Sequence, residues 1–582
     1  MDFPESEAWL VRAVRLHQSG RLDDALALYL RLLAWQPDQA DAWHFLGALL
    51  RQRGRGGLAV ALIARAITLE GARAVYHSNR GVILDEIGRF EEALVSFEAA
   101  LRLNPADVAA HQGRGTILSR SGRPGEALAS YDAALSLKPD HVLAHANRGI
   151  ALNDLGRREQ SLVAFATALC LKPDYADAYS HRGTVLSLNG LADEALVAFE
   201  TALRLRPDHG EGHANRGTIL NDLGRTGQAL AATGAAIGLQ PGHARGYFNR
   251  AAVLARLGRV DEAVACLEAA IRLTPNYAEA RYKLSLLRLL MGDFAAGWAG
   301  HEWRRQGAFA RTQLKDTLWG GEDLAGRTIL LHGEQGFGDT LQFCRYAPRV
   351  AERGGKVILR APRPLLSLLS GLEGVARVVA EEDAAPPFDL HCPLMSLPWL
   401  FGTRVESIPA DVPYLRPDEA VRARWAERLG EQDKPRVGLV WAGSPAHGND
   451  RNRSVPFADL APLWGVGGVR WFSLQMGERR SDLAGAPPGL IEDLSPYLGD
   501  FSDTAAALSR LDLLLTVDTA VAHLAGACGC AAWVMLPHVS DWRWLLERSD
   551  SPWYPSLRLF RQAGRGSWGN VVADVALALT ER

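Results

Sequence analysis

The chain has 582 residues, 48% hydrophobic and 22% charged, the balance of a folded chain and not of a disordered one. Lys and Arg number 64 against 66 Asp and Glu, a net charge of −2. That disfavours a general nucleic-acid or anionic-membrane binder, which carries a basic excess. At about 150 residues per domain the length accommodates roughly three to four domains. The amino terminus, Met1 to Leu10, lacks a basic stretch followed by an apolar one, so no signal peptide is expected. Nor does any run of about 18 uninterrupted apolar residues predict a membrane span. Six cysteines show no CxxC pair, the closest two being Cys528 and Cys530. A reduced cytoplasmic setting without structural zinc is expected.

From the amino terminus the chain repeats. Gly20, Gly54, Gly88, Gly122, Gly156, Gly190, Gly224, Gly258 and Gly292 are each 34 residues from the next. Pro105, Pro139, Pro173, Pro207, Pro241 and Pro275 keep the same step, as do Ala25, Ala59, Ala93, Ala127, Ala195, Ala229 and Ala263. These columns and their period resemble the tetratricopeptide repeat, with eight full units over 6–277 and a degenerate ninth.

The physics of one unit agrees. His77 to Leu84 has helical periodicity and stops at Gly88, a residue able to take the positive φ of a helix end. A second helix runs from about Phe90 to Leu103, and Pro105 cannot continue it. Gly81 and Ala93 are small where the two helices must approach. A single hairpin cannot bury its apolar face, so the units are expected to stack into an all-α right-handed superhelix with a concave groove, residues 1–305. Asn79, Asn147, Asn215 and Asn249 share one phase of the first helix, and Arg80, Arg114, Arg148, Arg182, Arg216 and Arg250 follow that phase. Two readings fit: consensus residues bonding across hairpins or solvated, or an amide ladder that holds an extended acceptor protein by its backbone.

Past Gly297 to Arg304 the pattern decays into short apolar runs alternating with glycine turns and helical stretches. Strands are expected at 328–332, 356–360, 376–379, 436–441, 469–474, 513–517 and 531–536. Helices are expected at 339–353 and 520–528. This alternation predicts parallel sheets with helical crossovers. A proline-marked stretch, Ile408 to Pro417, separates two Rossmann-like lobes, 306–430 and 431–582, with a ligand cleft at the carboxyl ends of their strands.

Three strand ends carry candidate chemistry. Leu331 to Gln342 contains a glycine turn, Gly333, Gly336 and Gly338, running into a helix near Asp339, which also reads as its N-cap. It lacks the Gly-Lys-Ser/Thr of a phosphate loop and the third glycine of a dinucleotide fingerprint. Val440 to Ser454 is a polar glycine loop with Ser444, Arg451, Arg453 and Ser454, groups suited to a diphosphate. Leu515 to Ala527 places Asp518 at a strand tip and Thr519 and His523 at a helix start, where a phosphate gains from the dipole.

Together these segments, above all Asp518 to Gly529, resemble the heptosyltransferase-like glycosyltransferases of the GT-B fold over residues 325–582. The tail from Asp541 to Pro555 looks like a bacterial subgroup that fuses tetratricopeptide repeats to this domain and includes flagellin-modifying enzymes. The resemblance implies Asp339 as general base, with Gly336, Gly338, Ser444, Arg453, Ser454, Asp518, Thr519 and His523 on the nucleotide-sugar. It further implies an inverting cytoplasmic enzyme with no metal or other cofactor, transferring sugar to Ser or Thr of a protein, plausibly flagellin, held by the repeats. The first lobe is short, which leaves the repeats to supply the acceptor. Two alternatives stay open: an enzyme of lipopolysaccharide assembly, and an adaptor whose transferase domain is inactive.

Overall fold

A computed structural model describes residues 3–306, 317–431, 433–564 and 566–582. The expected start of the first lobe falls against residues 307–316, outside the described ones. The chain forms two compact units, Met1–Pro241 and Gly242–Arg582.

The first unit is all helical, from Phe3–Gln18 to Thr226–Leu239. Its repeats close as the sequence predicts. Helix Ala74–Glu86 ends with Gly88 at φ 77°, where the Gly88 N–H donates to the Asp85 carbonyl (3.0 Å) and the Arg89 N–H to the Leu84 carbonyl (2.8 Å). Only a residue at ease with positive φ completes this turn. The second helix, Phe90–Leu103, returns with Phe97 lying over Gly81: a Cβ there would stand 2.8 Å from the ring. Tyr131 over Gly115, Phe165 over Gly149 and Phe199 over Gly183 repeat this fit. Each of the four aromatic side chains is no more than 1% exposed. The core clusters span neighbouring repeats in turn, as Tyr76, Phe97 and Ile117 do, so each hairpin is completed by the next.

The second unit begins with four more repeat helices, Ala244–Arg256, Val260–Leu273, Ala278–Leu290 and Phe294–His301, and continues into two sheets. The first contains β1 (Thr328–His332), β2 (Lys356–Ala361), β3 (Val375–Ala380) and β4 (Leu390–Pro393), in the order β3-β2-β1-β4. The second contains β5 (Arg436–Val440), β6 (Arg470–Ser473), β7 (Ile491–Asp493), β8 (Leu513–Val517), β9 (Ala532–Leu536) and β10 (Leu557–Arg561), ordered β10-β9-β8-β5-β6-β7. Every pairing of these strands is parallel. The seven expected strands are present within a residue or two at each end. β4, β7 and β10 are additional: β4 and β7 are too short for a periodic signal, and the alternation in β10 sits among turn residues. The expected helix 339–353 is divided into Phe337–Phe343, a 3₁₀ turn Cys344–Tyr346 and Ala347–Ala351, where Pro348 removes a donor.

The compact units divide ahead of the point where the repeat pattern ends. The physical reason is burial. Leu289, Leu290, Phe294 and Trp298 of the last repeat share one hydrophobic core with the first sheet and with Trp542, Trp544, Trp553 and Tyr554. Trp298 is 2% exposed and meets Trp542 edge-on at 5.2 Å and Phe343 at 6.2 Å. Each such pair contributes about 0.5–1.5 kcal/mol beyond its buried area.

Candidate functional site

The loops that leave β1, β5, β8 and β9 all lie at carboxyl ends of parallel strands, and they meet. β1 delivers the glycine turn. Gly336, not Asp339, occupies the N-cap of helix Phe337–Phe343. Asp339 sits three residues inside it and accepts from the Gly336 N–H through Oδ2 (3.1 Å). That corrects the expected N-cap role and leaves Asp339 Oδ1 to face elsewhere. Oδ1 accepts from Arg543, on the loop after β9.

Arg543 is the hub. It is 8% exposed, and its three nitrogens donate to Asp339, to Asp541 Oδ1 (2.8 Å) and to Gln342 Oε1 (2.6 Å). Burial pushes the Asp339 carboxyl above its ordinary pKa, with Arg543 pulling it down and Asp541 adding to the rise. The loop is pinned from behind: Arg561, closing β10, donates to Ser540 Oγ (2.8 Å), the Arg548 carbonyl (3.0 Å) and the Trp544 carbonyl. Leu545 and Glu547 in this loop stand at φ 54°, a conformation L side chains seldom adopt.

β8 delivers Asp518 and, at the N-cap of helix Ala520–Ala527, Thr519. The Asp518 carboxyl is raised from 3.8 to about 6 by burial and then by the Asp541 charge, against the pull of Arg453 and Arg543. Thr519 Oγ1 lies 3.3 Å from Thr516 Oγ1. His523 is 5% exposed, holds the Tyr554 hydroxyl at Nδ1 (3.0 Å), and stacks on Trp544 at 5.4 Å. Burial, with Arg543 adding to it, holds its pKa well below the ordinary imidazole value. The ring is therefore neutral at pH 7, and the positive charge beside it is that of Arg543. Gly338 earns its place beside this ring: a Cβ would stand 2.9 Å from His523 Cδ2.

β5 delivers the polar loop. Arg453 passes so close to Gly443 that a Cβ would stand 2.5 Å from Nη2. Arg453 Nη1 donates to the Asp518 carbonyl (3.0 Å), tying this loop to the one after β8. Its Nε lies 3.6 Å from Asp450 and is buried without a hydrogen-bond acceptor. Ser454 works inside the loop, accepting from the Gly443 N–H (3.0 Å) and donating to Asp450 (2.9 Å). Ser444 is exposed, as is Gly336.

Asp339 is thus bonded to Arg543, Gly338 packs on His523, and Arg453 is bonded to Asp518 beside Thr519, with Arg543 close enough to act on the Asp518 charge. Sequence reasoning gave no role to Arg543, Asp541 or Gln342. The signal was the position of the Asp541 to Trp544 segment just beyond β9, another carboxyl strand end in the same sheet. Among the described residues no three His, Cys, Asp or Glu side chains are placed to hold a metal ion.

The asparagine column is differently placed in each unit. In the first, Asn79 Nδ2 lies 2.7 Å from His44 Nε2 of the preceding repeat, Asn147 bonds the Tyr131 hydroxyl, and Asn215 is 8% exposed. In the second, Asn249 is also 8% exposed. The arginines beside them bind second helices: Arg80 donates to Ser96 (3.2 Å), Arg114 to Ser130 (3.3 Å) and Arg148 to Asp132 (2.6 Å). A further column was not singled out in the sequence. His77, His111, His145 and His213 each place Nε2 within 3.1 Å of the carbonyl six residues earlier, where the preceding helix ends.

The repeats match known proteins. A tetratricopeptide-repeat model matches residues 10–74, 79–142, 113–180 and 182–244, and a second matches 253–292. The N-terminal ~290 residues are tetratricopeptide repeats, a kind of array that binds peptide or protein partners. Protein FlbA of Caulobacter vibrioides is 30% identical over 331 residues, covering 52% of this chain and 55% of its own. The chain thus spans about half the length of this curated relative. Among solved structures, the anaphase-promoting-complex hetero-tetramer Cut9–Hcn1 is 20% identical, covering 49% of this chain and 57% of its own at TM-score 0.38. A repeat protein of Parabacteroides merdae is 19% identical, covering 43% and 98%, also at 0.38. YrrB, described as having an unusual peptide-binding site, is 25% identical, covering 32% and 96% at 0.27. Among the described residues no helix is long and apolar enough to cross a membrane.

Proposed function

We propose that this chain is a GT-B glycosyltransferase that moves a sugar from a nucleotide-sugar to a Ser or Thr hydroxyl of a protein held by its repeats. The observation that carries the reading is the meeting of Asp339, Arg453, Asp518 and Arg543 at the carboxyl ends of strands from both sheets. A carboxylate base and a guanidinium for the departing diphosphate are the parts this transfer needs. Asp339 takes the proton of the acceptor hydroxyl. The oxygen then bonds to the anomeric carbon as the bond to the diphosphate breaks, inverting that centre in one displacement. Arg453 neutralises the leaving diphosphate, with the Thr519 hydroxyl and the start of helix Ala520–Ala527 beside it, while Arg543, bonded to Asp339, Asp541 and Gln342, orients the base. Asp518 accepts from the donor's sugar hydroxyls.

The acceptor is a protein because the repeats otherwise have no role, and flagellin is the acceptor that the family resemblance implies. The asparagine column either contacts its backbone or bonds across hairpins, as Asn79 does with His44, and the reaction takes place in the cytoplasm, where nucleotide-sugars are available. Intact-mass measurement of flagellin incubated with the protein and a panel of nucleotide-sugars tests this. A mass increase of one sugar residue is expected, and is expected to vanish with Asp339→Asn. Transfer to a lipopolysaccharide core instead would point to a surface-glycan enzyme, and tight protein binding with no transfer to an inactive adaptor.

A further inference from the structure

The glycine turn that presents Asp339 is closed at its far end by the Gly336 N–H bond to Asp339, and the residues before it are irregular. Residues 333–336 have no regular secondary structure, and two of the four are glycines, which leave the backbone free. Its polar side chains are instead held from outside. Glu334 receives two bonds from Arg304, from Nε (3.0 Å) and Nη2 (2.7 Å). Gln335 is bonded by the Tyr282 hydroxyl. Both anchors belong to the end of the repeat array: Tyr282 lies on helix Ala278–Leu290, and Arg304 on the 3₁₀ turn Glu302–Arg305 that follows the last repeat helix.

The anchors are built and buried. Arg304 is 3% exposed and also donates to Glu302 (2.6 Å) and Ser396 (2.7 Å), with the Ser396 hydroxyl donating to Glu302 (3.0 Å). Tyr282 is 9% exposed. Helix Ala278–Leu290 also packs against the Trp542–Trp544 turn that contains Arg543. One repeat helix thus backs both loops whose side chains meet at Asp339.

We propose that Tyr282, Arg304 and Glu334 are positioning residues for the transfer reaction, setting the turn so that Asp339 faces the acceptor hydroxyl. The last repeat is then part of the catalytic apparatus as well as of the acceptor-binding array. This rests on the glycosyltransferase reading above. Displacements of the order of 1 Å at a reacting group cost up to about 10²-fold in rate, and loosening this turn acts on that distance without touching the donor groups.

The test uses full-length protein carrying Tyr282→Phe or Glu334→Gln, with Arg304→Lys as the conservative variant. Transfer to the acceptor protein, donor affinity by calorimetry and hydrogen exchange across residues 333–340 are measured beside wild type. Expected are a fall in kcat of about 10- to 10²-fold, unchanged donor affinity, faster exchange confined to the turn, and partial recovery with Arg304→Lys relative to Arg304→Gln. Wild-type kcat and exchange in both Tyr282→Phe and Glu334→Gln, beside an active wild type, would overturn the proposal alone. Donor affinity falling in step with kcat would overturn it in favour of a general structural role. A wild-type protein that transfers no sugar from any donor would sink the functional reading and this inference with it.

Discussion

The Arg543 guanidinium donates to the Asp339 carboxylate across 204 residues of chain, joining the loop after β9 to the turn after β1. This pair bears on the ionisation of Asp339, the proposed base. Burial and Asp541 push Asp339 toward its protonated form, and Arg543 opposes them. Arg543→Gln removes that opposition, so Asp339 ionises only at higher pH. The acid limb of the pH–rate profile should therefore move upward, with Arg543→Lys intermediate. Removing one partner of a buried ion pair also costs on the order of 3–5 kcal/mol, so the melting temperature should fall in parallel. A profile that does not move would detach Asp339 from the rate.

Asp339→Asn removes the proposed base and keeps one carbonyl oxygen, enough to accept from Arg543 or from the Gly336 N–H but not from both. Donor affinity should stay near wild type and transfer should fall by about 10²- to 10⁴-fold. Single-turnover measurement with preloaded donor checks this directly, and near-normal transfer would place the base elsewhere.

Burial of Asp518, the residue proposed to hold the donor sugar, costs stability. Its folded-state carboxyl titrates near pH 6 against an ordinary 3.8. Between those values the folded protein keeps the proton that the unfolded chain has lost, so stability falls as pH rises through the window. At pH 7 that cost is present in full. Asp518→Asn should therefore melt higher than wild type at pH 7 and at the same temperature near pH 3, while binding the nucleotide-sugar more weakly. Equal melting temperatures at both pH values would refute the burial argument.

Two glycines in one repeat should respond oppositely to alanine. Gly122 lies at φ 69° with nothing within 4 Å of an added Cβ, so its substitution meets only backbone strain, about 1–2 kcal/mol. Gly125 lies inside helix Pro124–Leu137, also in open space. Alanine there should stabilise by about 0.5–1 kcal/mol. Urea unfolding of Gly122→Ala and Gly125→Ala measures both signs.

Asn79→Ala separates the two roles of the asparagine column. The side chain it removes pairs with His44, which is 4% exposed, and leaving a buried polar group unpaired costs about 1–3 kcal/mol. A lower melting temperature with unchanged acceptor binding would mark Asn79 as a repeat-stacking residue. Weaker acceptor binding by a protein that melts normally would mark it as part of the ladder.

Much of the architecture was written locally. The 34-residue column ending in Gly88 and its equivalents determined where the first helix of each pair stops, because positive φ at a helix end is a property of one residue. β1 and β8 have the expected bounds because an apolar run flanked by turns is a short-range signal. The strand-end rule also brought Asp339, Arg453, Asp518 and His523 into view one at a time. What the chain could not announce was their shared partner. Arg543 is one arginine among many until folding buries it between Asp339 and Asp541, and no spacing encodes a contact 204 residues long. The same holds for the end of the array. By period, Tyr282 and Arg304 belong to a fading repeat. Tertiary packing alone put Trp298 into the core of the first sheet and left Tyr282 and Arg304 bonded to the turn that presents Asp339.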